Sequence, residues 1–285
     1  MLPPGDALAP MTHITSRQNP VVLRYRAVAD GVDRTLMLLD GVHLVTDALD
    51  AGVTIVDAVV SQDALGDATI APLVTRLHDA GVSLRSASGS VMAAVSPLRS
   101  PSRLVARARK GGATPRTLFE VPIPVVVAAV NVQDPGNLGA IVRVAEAGGA
   151  TGVAAVGRSA DPWGWKALRG SMGSALRLPI ATIADELTLV TEGRRRGCRL
   201  VASVPRGGRS LDDADLSGPI VLLVGGEGAG LPAALVDEAD QRVSIPMAPA
   251  VESLNTAICA ALLVYESRRQ RLAMVPHGIA LSRPS

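Results

Sequence analysis

The sequence predicts an α/β protein of two domains, the second built on a mostly parallel sheet. Three observations carry this. Strand-like and helix-like segments alternate along most of the 285 residues, the pattern of βα units. Residues 125–130, VVVAAV, form an unbroken apolar run of the kind found in strands buried on both faces. Three later strand-to-helix connections carry Gly, Pro, Asn and Glu where a plain turn would suffice. In parallel sheets such connections, at the carboxyl ends of strands, are where ligands bind.

In the first half, residues 20–29 read as a short helix closed by Asp30-Gly31, and 35–40 as a strand. A helix over 42–49 closed by Gly52, a strand over 55–60, a helix over 70–80 closed by Gly81 and a strand over 82–85 follow. Ser88 is a suitable N-cap for a helix through Val95. Together these make a small α/β sandwich. Residues 1–12 read as a loose leader. Between Ser96 and Pro124 the character changes: Pro97, Pro101, Pro115, Pro122, Pro124 and the pair Gly111-Gly112 surround one strand-like stretch, 104–108. This segment reads as a linker, placing the boundary near Pro115 and the domains at 1–115 and 116–285.

The second half opens with the apolar run. A helix then presents Leu138, Ile141, Val142 and Ala145 on one face and ends at Gly148-Gly149. A strand over 153–156, a short helix after Trp163 and Trp165, a turn at 170–173 and a helix over 185–196 come next. Strands over 200–204 and 220–224, a helix over 232–238 and a strand-like VSIP lead to the last helix. There Leu254, Ile258, Leu262 and Tyr265 fall at helical spacing, with Ala257 and Ala261 beside them, so this face is expected to be buried.

Composition narrows the class. Hydrophobic residues make up 48% and charged ones 19%, which is globular composition. Aromatics are 2%, so the core must be built from Val, Leu, Ile and Ala. Lys110 and Lys166 are the only lysines, and Arg carries the remaining positive charge. A net charge of +2 does not by itself imply a nucleic-acid partner. The distribution is more informative: Arg99, Arg103, Arg107, Arg109, Lys110 and Arg116 cluster, Arg194–Arg196 are consecutive, and Arg268, Arg269 and Arg271 close the last helix. Each run alone is equally explained as a solvated face. Cys198 and Cys259 lie in apolar surroundings and read as small core residues in a reducing compartment. The first residues lack a signal-peptide pattern, and no uncharged apolar run approaches the ~18 residues of a membrane helix. The expected protein is soluble and cytoplasmic, with no membrane association. His13, His43, His78 and His277 form no ligand cluster, so no metal is expected.

Three loops carry the candidate chemistry. The first, residues 131–143, NVQDPGNLGAIVR, leaves the buried strand through turn chemistry at Asp134-Pro135-Gly136-Asn137. Asn137 is explained by helix capping and Arg143 by solvation of the helix that follows. The second, 222–232, LLVGGEGAGLP, has four glycines after a buried strand, which lets a ligand approach the backbone. It is neither a Walker loop nor GxGxxG, so a nucleotide-dependent oxidoreductase is a weak alternative. Glu227 among those glycines would accept from ribose hydroxyls or amides and would repel phosphate, so the implied ligand is nucleoside-like without a phosphate tail. The third, Glu252-Ser253-Leu254-Asn255, opens the last helix, where free backbone N–H groups can hold a ligand and where Ser253 is a fair cap.

In order and spacing, DPGNLGAIVRVAEAGG, LLVGGEGAGLP and IPMAPAVESLNTAICAALLVYE together resemble the three motifs of the SpoU (TrmH) family of RNA ribose methyltransferases, within the SPOUT class. ITSRQNPVVLRYRAV and LLDGVHLVTDAL resemble the ribosomal-protein-like RNA-binding domain that precedes the catalytic domain in many members. The resemblance implies a C-terminal SPOUT α/β domain with a deep trefoil knot, an exception to the unknotted norm. It implies S-adenosylmethionine bound near Leu223, Gly225, Gly226, Gly228, Ile245, Met247 and Leu254, and methyl transfer to a ribose 2′-hydroxyl of RNA. Arg143 matches the family's catalytic arginine, with Asn137, Glu227, Ser253 and Asn255 around it. A guanidinium stays protonated in proteins, which favours a phosphate-holding role for Arg143 over that of a general base. The resemblance also implies a homodimer, no metal, and RNA contacts from Arg17, Arg24, Arg26, Arg99, Arg103 and Lys166. Lys166 and Ser171-Met172-Gly173 match a family segment that precedes the sheet's middle strand. Where many relatives read SPTRSPQG, residues 96–103 read SPLRSPSR, so contacts at the lost Gln-Gly do not carry over. Ribosomal RNA is the expected target, with transfer RNA as the alternative. Rival readings are a base methyltransferase of the same class and a non-catalytic RNA-binding or ribosome-assembly protein.

Overall fold

The computed structural model describes residues 11–274, so most of the leader and His277 lie outside the described residues. The chain divides into two compact units: the residues through Gly111 together with Trp163–Arg177, and Gly112–Pro162 together with Leu178 onward.

In the first unit the elements are β1 (Thr12–Ile14), α1 (Pro20–Ala29), β2 (Leu36–Asp40), α2 (Val42–Asp50), β3 (Ile55–Ser61), α3 (Ala71–Asp79), β4 (Ser83–Ala87), α4 (Gly89–Val95) and β5 (Leu104–Arg109). Pro20 occupies the first turn of α1, and Asn19 Oδ1 accepts from Val21 N at 2.9 Å. The sheet order is β1-β4-β3-β5-β2, with β5 antiparallel to both β3 and β2. The stretch expected to be linker therefore supplies an inner strand, and β1 forms where a leader was expected to end. The basic look of β5 hid its role. Arg107 does not face solvent: its Nε and Nη2 donate to Asp57 Oδ1 and Oδ2 at 2.9 and 2.7 Å, and Tyr25 OH donates to the same Oδ1 at 3.0 Å. The guanidinium lies 5.1 Å from the Tyr25 ring centroid, and all three side chains are buried. Burial, followed by the Asp57 charge, pushes the Tyr25 phenol well above its usual range. Asp57→Asn would leave Arg107 buried without a counter-charge, and a loss of about 3–5 kcal/mol is expected in urea denaturation. A variant as stable as the wild type would contradict this account of β5.

The second unit comprises β6 (Val125–Val130), α5 (Pro135–Ala147), β7 (Gly152–Val156), β8 (Ile180–Ile183), α8 (Glu186–Arg195), β9 (Arg199–Ser203), β10 (Arg209–Ser210), β11 (Ile220–Gly225), α9 (Ala233–Asp237), β12 (Gln241–Ser244) and α10 (Thr256–Ala273). Between β7 and β8 the chain contributes α6 (Trp165–Ser171) and α7 (Ser174–Arg177) to the first unit. The seven strands run in the order β10-β12-β9-β11-β6-β7-β8, every pairing parallel. β6 pairs with β11 from Val125↔Ile220 to Val130↔Gly225, and all six β6 residues are buried, as the apolar run predicts. β8, which follows the Lys166 segment, is the edge strand and not the middle one. β8 and β10, at four and two residues, were too short to leave a periodic signal.

Helix α10 packs against α5 and β11, but not through the expected face. Ala257, Ala260, Leu263, Val264 and Ser267 are buried, while Ile258, Leu262 and Tyr265 are 53, 39 and 50% exposed. The inner face combines Ala257, Ala260 and Ser267 with Leu263 and Val264, and Val264 packs where α5 ends in Gly148, at which an added Cβ would stand 2.1 Å from Val264 Cγ1.

Candidate active site

Because all strands of the seven-stranded sheet are parallel, the loops after β9, β11, β6 and β12 leave the same edge of that sheet. Asp134, and not Asn137, caps α5: its Oδ1 accepts from Asn137 N at 2.7 Å. Asn137 thus stands at the third helical position with its side chain available. At the other helix Asn255, and not Ser253, is the cap, and its Oδ1 accepts from Ala257 N and Ile258 N at 2.9 and 3.3 Å. These bonds fix the Asn255 amide so that Nδ2 points away from the helix. It donates to Asn137 Oδ1 at 3.0 Å and to Glu227 Oε1 at 3.2 Å, while Asn137 Nδ2 donates to Glu227 Oε1 at 2.7 Å. A carboxylate only accepts, so both amide orientations follow from the network itself. Three residues far apart in sequence close a triangle. Thr256, which the sequence reading passed over, ties α10 to the end of β11 through Oγ1–H···O=C of Gly225 at 2.7 Å.

On one side of the triangle lies a cavity of about 440 Å³ lined by Gly225, Gly226, Glu227, Gly228, Ile245, Met247, Ser253, Leu254 and Asn255. Its size suits a small organic ligand. Ser203, Val204 and Pro205, after β9, complete it and were not singled out from sequence. Among the described residues neither Lys nor Arg lines it, so a phosphate-bearing cofactor would find no counter-charge there. Leu223 does not reach the cavity; it is buried in the sheet core. Cys259 does line it and is only half-buried, and desolvation pushes its thiol up. The glycines hold the loop close to neighbouring backbone. A Cβ on Gly225 would stand 2.3 Å from Gly230 C, and one on Gly226 would stand 2.2 Å from Asn131 O.

A second cavity, of about 650 Å³, shares Gly226, Glu227 and Gly230 with the first and adds Asn131, Gln133, Asp134, Asn137 and Arg158. Arg143 lines neither cavity. It is exposed on α5 and makes no ion pair or hydrogen bond among the described residues.

The basic residues of the first unit are dispersed in role. Arg17, Arg24 and Arg99 are exposed, and Arg26 donates from Nε to Ala94 O at 3.2 Å. Arg103 pairs with Asp67, whose carboxyl is held far below its usual range by the Thr69 hydroxyl and amide and then by Arg103. Lys166 Nζ lies 5.4 Å from the Trp165 ring centroid. Arg107 leaves the expected basic surface altogether. Among the described residues no group of His, Cys, Asp and Glu is placed to hold a metal ion, and no helix is long and apolar enough to cross a membrane.

A parallel sheet with a Gly-lined cavity beside a carboxamide–carboxylate network at the ends of its strands is the architecture of an α/β ligand-binding domain. The sequence profile of the SpoU rRNA Methylase family matches residues 124–265. An uncharacterised tRNA/rRNA methyltransferase of Synechocystis is 34% identical over 271 residues, covering 93% of this chain and 96% of the relative. The AdoMet-bound rRNA methyltransferase from Sinorhizobium meliloti is 30% identical with a TM-score of 0.82, covering 91% of this chain and 98% of that one. A crystal structure of an RNA 2′-O ribose methyltransferase is 31% identical with a TM-score of 0.75, covering 92% of this chain and 100% of its own. The chain belongs to the SpoU family of RNA methyltransferases, as the three motifs implied.

Proposed function

We propose that the protein transfers a methyl group from S-adenosylmethionine to a ribose 2′-hydroxyl of RNA, with ribosomal RNA preferred over transfer RNA. The observation that carries this reading is the closed Asn137–Glu227–Asn255 triangle on the rim of a cavity without cations. S-adenosylmethionine supplies an electrophilic methyl group when bound. Its charge pattern fits a cavity of Gly backbone, Ile245, Met247 and Leu254 that offers carboxylate and hydroxyl acceptors and no phosphate cradle. The relatives support the same assignment: one solved structure has AdoMet bound, and another is described as a ribose 2′-O enzyme.

A neutral 2′-hydroxyl is a weak nucleophile, so it must be positioned and helped to lose its proton. The free lone pairs of Glu227 and the polar edges of Asn137 and Asn255 orient the ribose, with Ser253 beside them. Arg143, exposed and unpaired, holds the adjacent RNA phosphate and stabilises charge developing on the oxygen. The outward Ile258, Leu262 and Tyr265 of α10 form the contact of a homodimer, because a stripe of large apolar side chains at these positions is otherwise left in water. The chain around β11, β12 and α10 forms the family's trefoil knot. Residues 1–115, with Arg17, Arg24, Arg26, Arg99 and Arg103, and with Lys166, bind the RNA, and the enzyme works in the cytoplasm. The test is incubation with labelled S-adenosylmethionine and unmodified ribosomal or transfer RNA transcripts, followed by nucleoside mass spectrometry. A 2′-O-methylnucleoside is expected. A methylated base, or binding of the cofactor without transfer to either RNA, would overturn the reading.

A further inference from the structure

We propose that Arg158 is a second cation, besides Arg143, with which this chain holds a backbone phosphate flanking the target ribose. The proposal rests on the RNA-substrate reading of the same site and adds to it a residue that none of the family motifs contains. Among the described residues Arg158 is the only Lys or Arg that lines the 650 Å³ cavity, and that cavity meets the cofactor cavity at Gly226, Glu227 and Gly230. A nucleotide whose ribose faces the Asn137–Glu227–Asn255 triangle from this side brings its phosphodiester within the same cavity. Asp134, which caps α5, and Glu227, which accepts from both amides at Oε1, also line this cavity as carboxylates, so the phosphate is held at its Arg158 side and the ribose faces Glu227.

Five arginines of the second unit are held by carboxylates, Arg194 by Asp240, Arg195 by Glu192, Arg199 by Asp215, Arg242 by Asp237 and Arg269 by Glu266, whereas Arg158, like Arg143, is not. The Arg158 guanidinium makes no ion pair or hydrogen bond among the described residues. Its backbone is nevertheless fixed. Asn131 adopts a left-handed conformation, φ 55°, and its Oδ1 accepts from Arg158 N at 2.9 Å. Asn131 N donates to Val156 O at 3.0 Å, and Ser159 Oγ accepts from Val132 N at 3.0 Å. Positive φ is uncommon outside glycine, and here it clamps the loop after β7 to the loop after β6. A free guanidinium on a pinned backbone, beside a ribose site, is suited to a planar bidentate contact with phosphate.

The experiment uses the full chain, with Arg158→Ala and Arg158→Lys variants. Affinity for unmodified ribosomal and transfer RNA transcripts is read by fluorescence anisotropy across a salt series, and S-adenosylmethionine affinity by calorimetry. Arg158→Ala is expected to weaken RNA binding about tenfold, the scale of one charged hydrogen-bond pair. The slope of log affinity against log salt should fall by about one. Arg158→Lys should recover part of the loss, and cofactor affinity should stay at the wild-type value in both variants. Unchanged RNA affinity and salt slope would overturn the proposal, as would an equal loss of cofactor affinity, which would mark Arg158 as loop scaffold. RNA binding is read without catalysis. A wild-type protein that binds RNA but leaves the ribose unmethylated would therefore sink the proposed activity alone, and one that binds neither RNA would sink both.

Discussion

Replacing Arg143 with alanine is expected to lower single-turnover methyl transfer by about 10²–10³-fold, the scale of removing one preorganised charge-stabilising donor. Cofactor affinity and thermal stability should stay near the wild-type values. The structure explains why these effects separate. Arg143 is exposed, lines neither cavity and holds no partner among the described residues, so its removal breaks no contact within the chain. Alanine is also the better helix former in the middle of α5, so a surface substitution here should stay within about 0.5 kcal/mol of neutral. Arg143→Lys keeps a charge but loses the bidentate fork, and should fall between the two. Labelled-methyl transfer under single-turnover conditions decides the matter: retained rate in Arg143→Ala would remove it from the machinery.

The second domain was largely legible in the sequence because its signals are strong and local. An apolar run such as 125–130 has few places to go other than the middle of a covered sheet, and it is found there. The three loops were legible as a set, since glycine and carboxamide positions follow from the chemistry of approaching a ligand. Which side chain performs the capping was not. Asp134 lies three residues before Asn137, and Ser253 two before Asn255, and all four are capping types. Only the backbone geometry assigns the caps, and the cross-loop triangle then follows from the side chains left available. β5 was misread for a different reason: a basic strand looks like a surface until its counter-charge, Asp57, is known to lie fifty positions away in sequence. The apolar stripe of α10 faces outward from this chain and not into its core: periodicity measures apolarity and not fit. The inner face turns out to be Ala257, Ala260, Leu263 and Val264, a second stripe that the spacing of Ile258, Leu262 and Tyr265 masked.

The second large effect is expected at Gly226. In Gly226→Ala the new Cβ would lie 2.2 Å from Asn131 O and 2.9 Å from Asn131 C, so the clash is with backbone and no rotamer change relieves it. Asn131 cannot step aside easily, because its N is bonded to Val156 O and its side chain to Arg158 N. The Gly-rich loop must move instead, although Gly226 N is held by Val130 O at 2.9 Å. Glu227 is the next residue and would move with it, opening the triangle with Asn137 and Asn255. Overpacking of this kind costs about 1–3 kcal/mol, which corresponds to roughly a 5–150-fold loss of S-adenosylmethionine affinity if the strain is relieved in the binding loop. Gly228→Ala is the matched comparison. Gly228 has φ +81° but nothing within 4 Å of an added Cβ, so it feels only the left-handed backbone strain of about 1–2 kcal/mol. Calorimetry with S-adenosylmethionine on both variants separates close approach from backbone freedom. A larger affinity loss at Gly226 than at Gly228 is the expected order, and wild-type affinity in Gly226→Ala would show that the loop does not depend on its contact with Asn131.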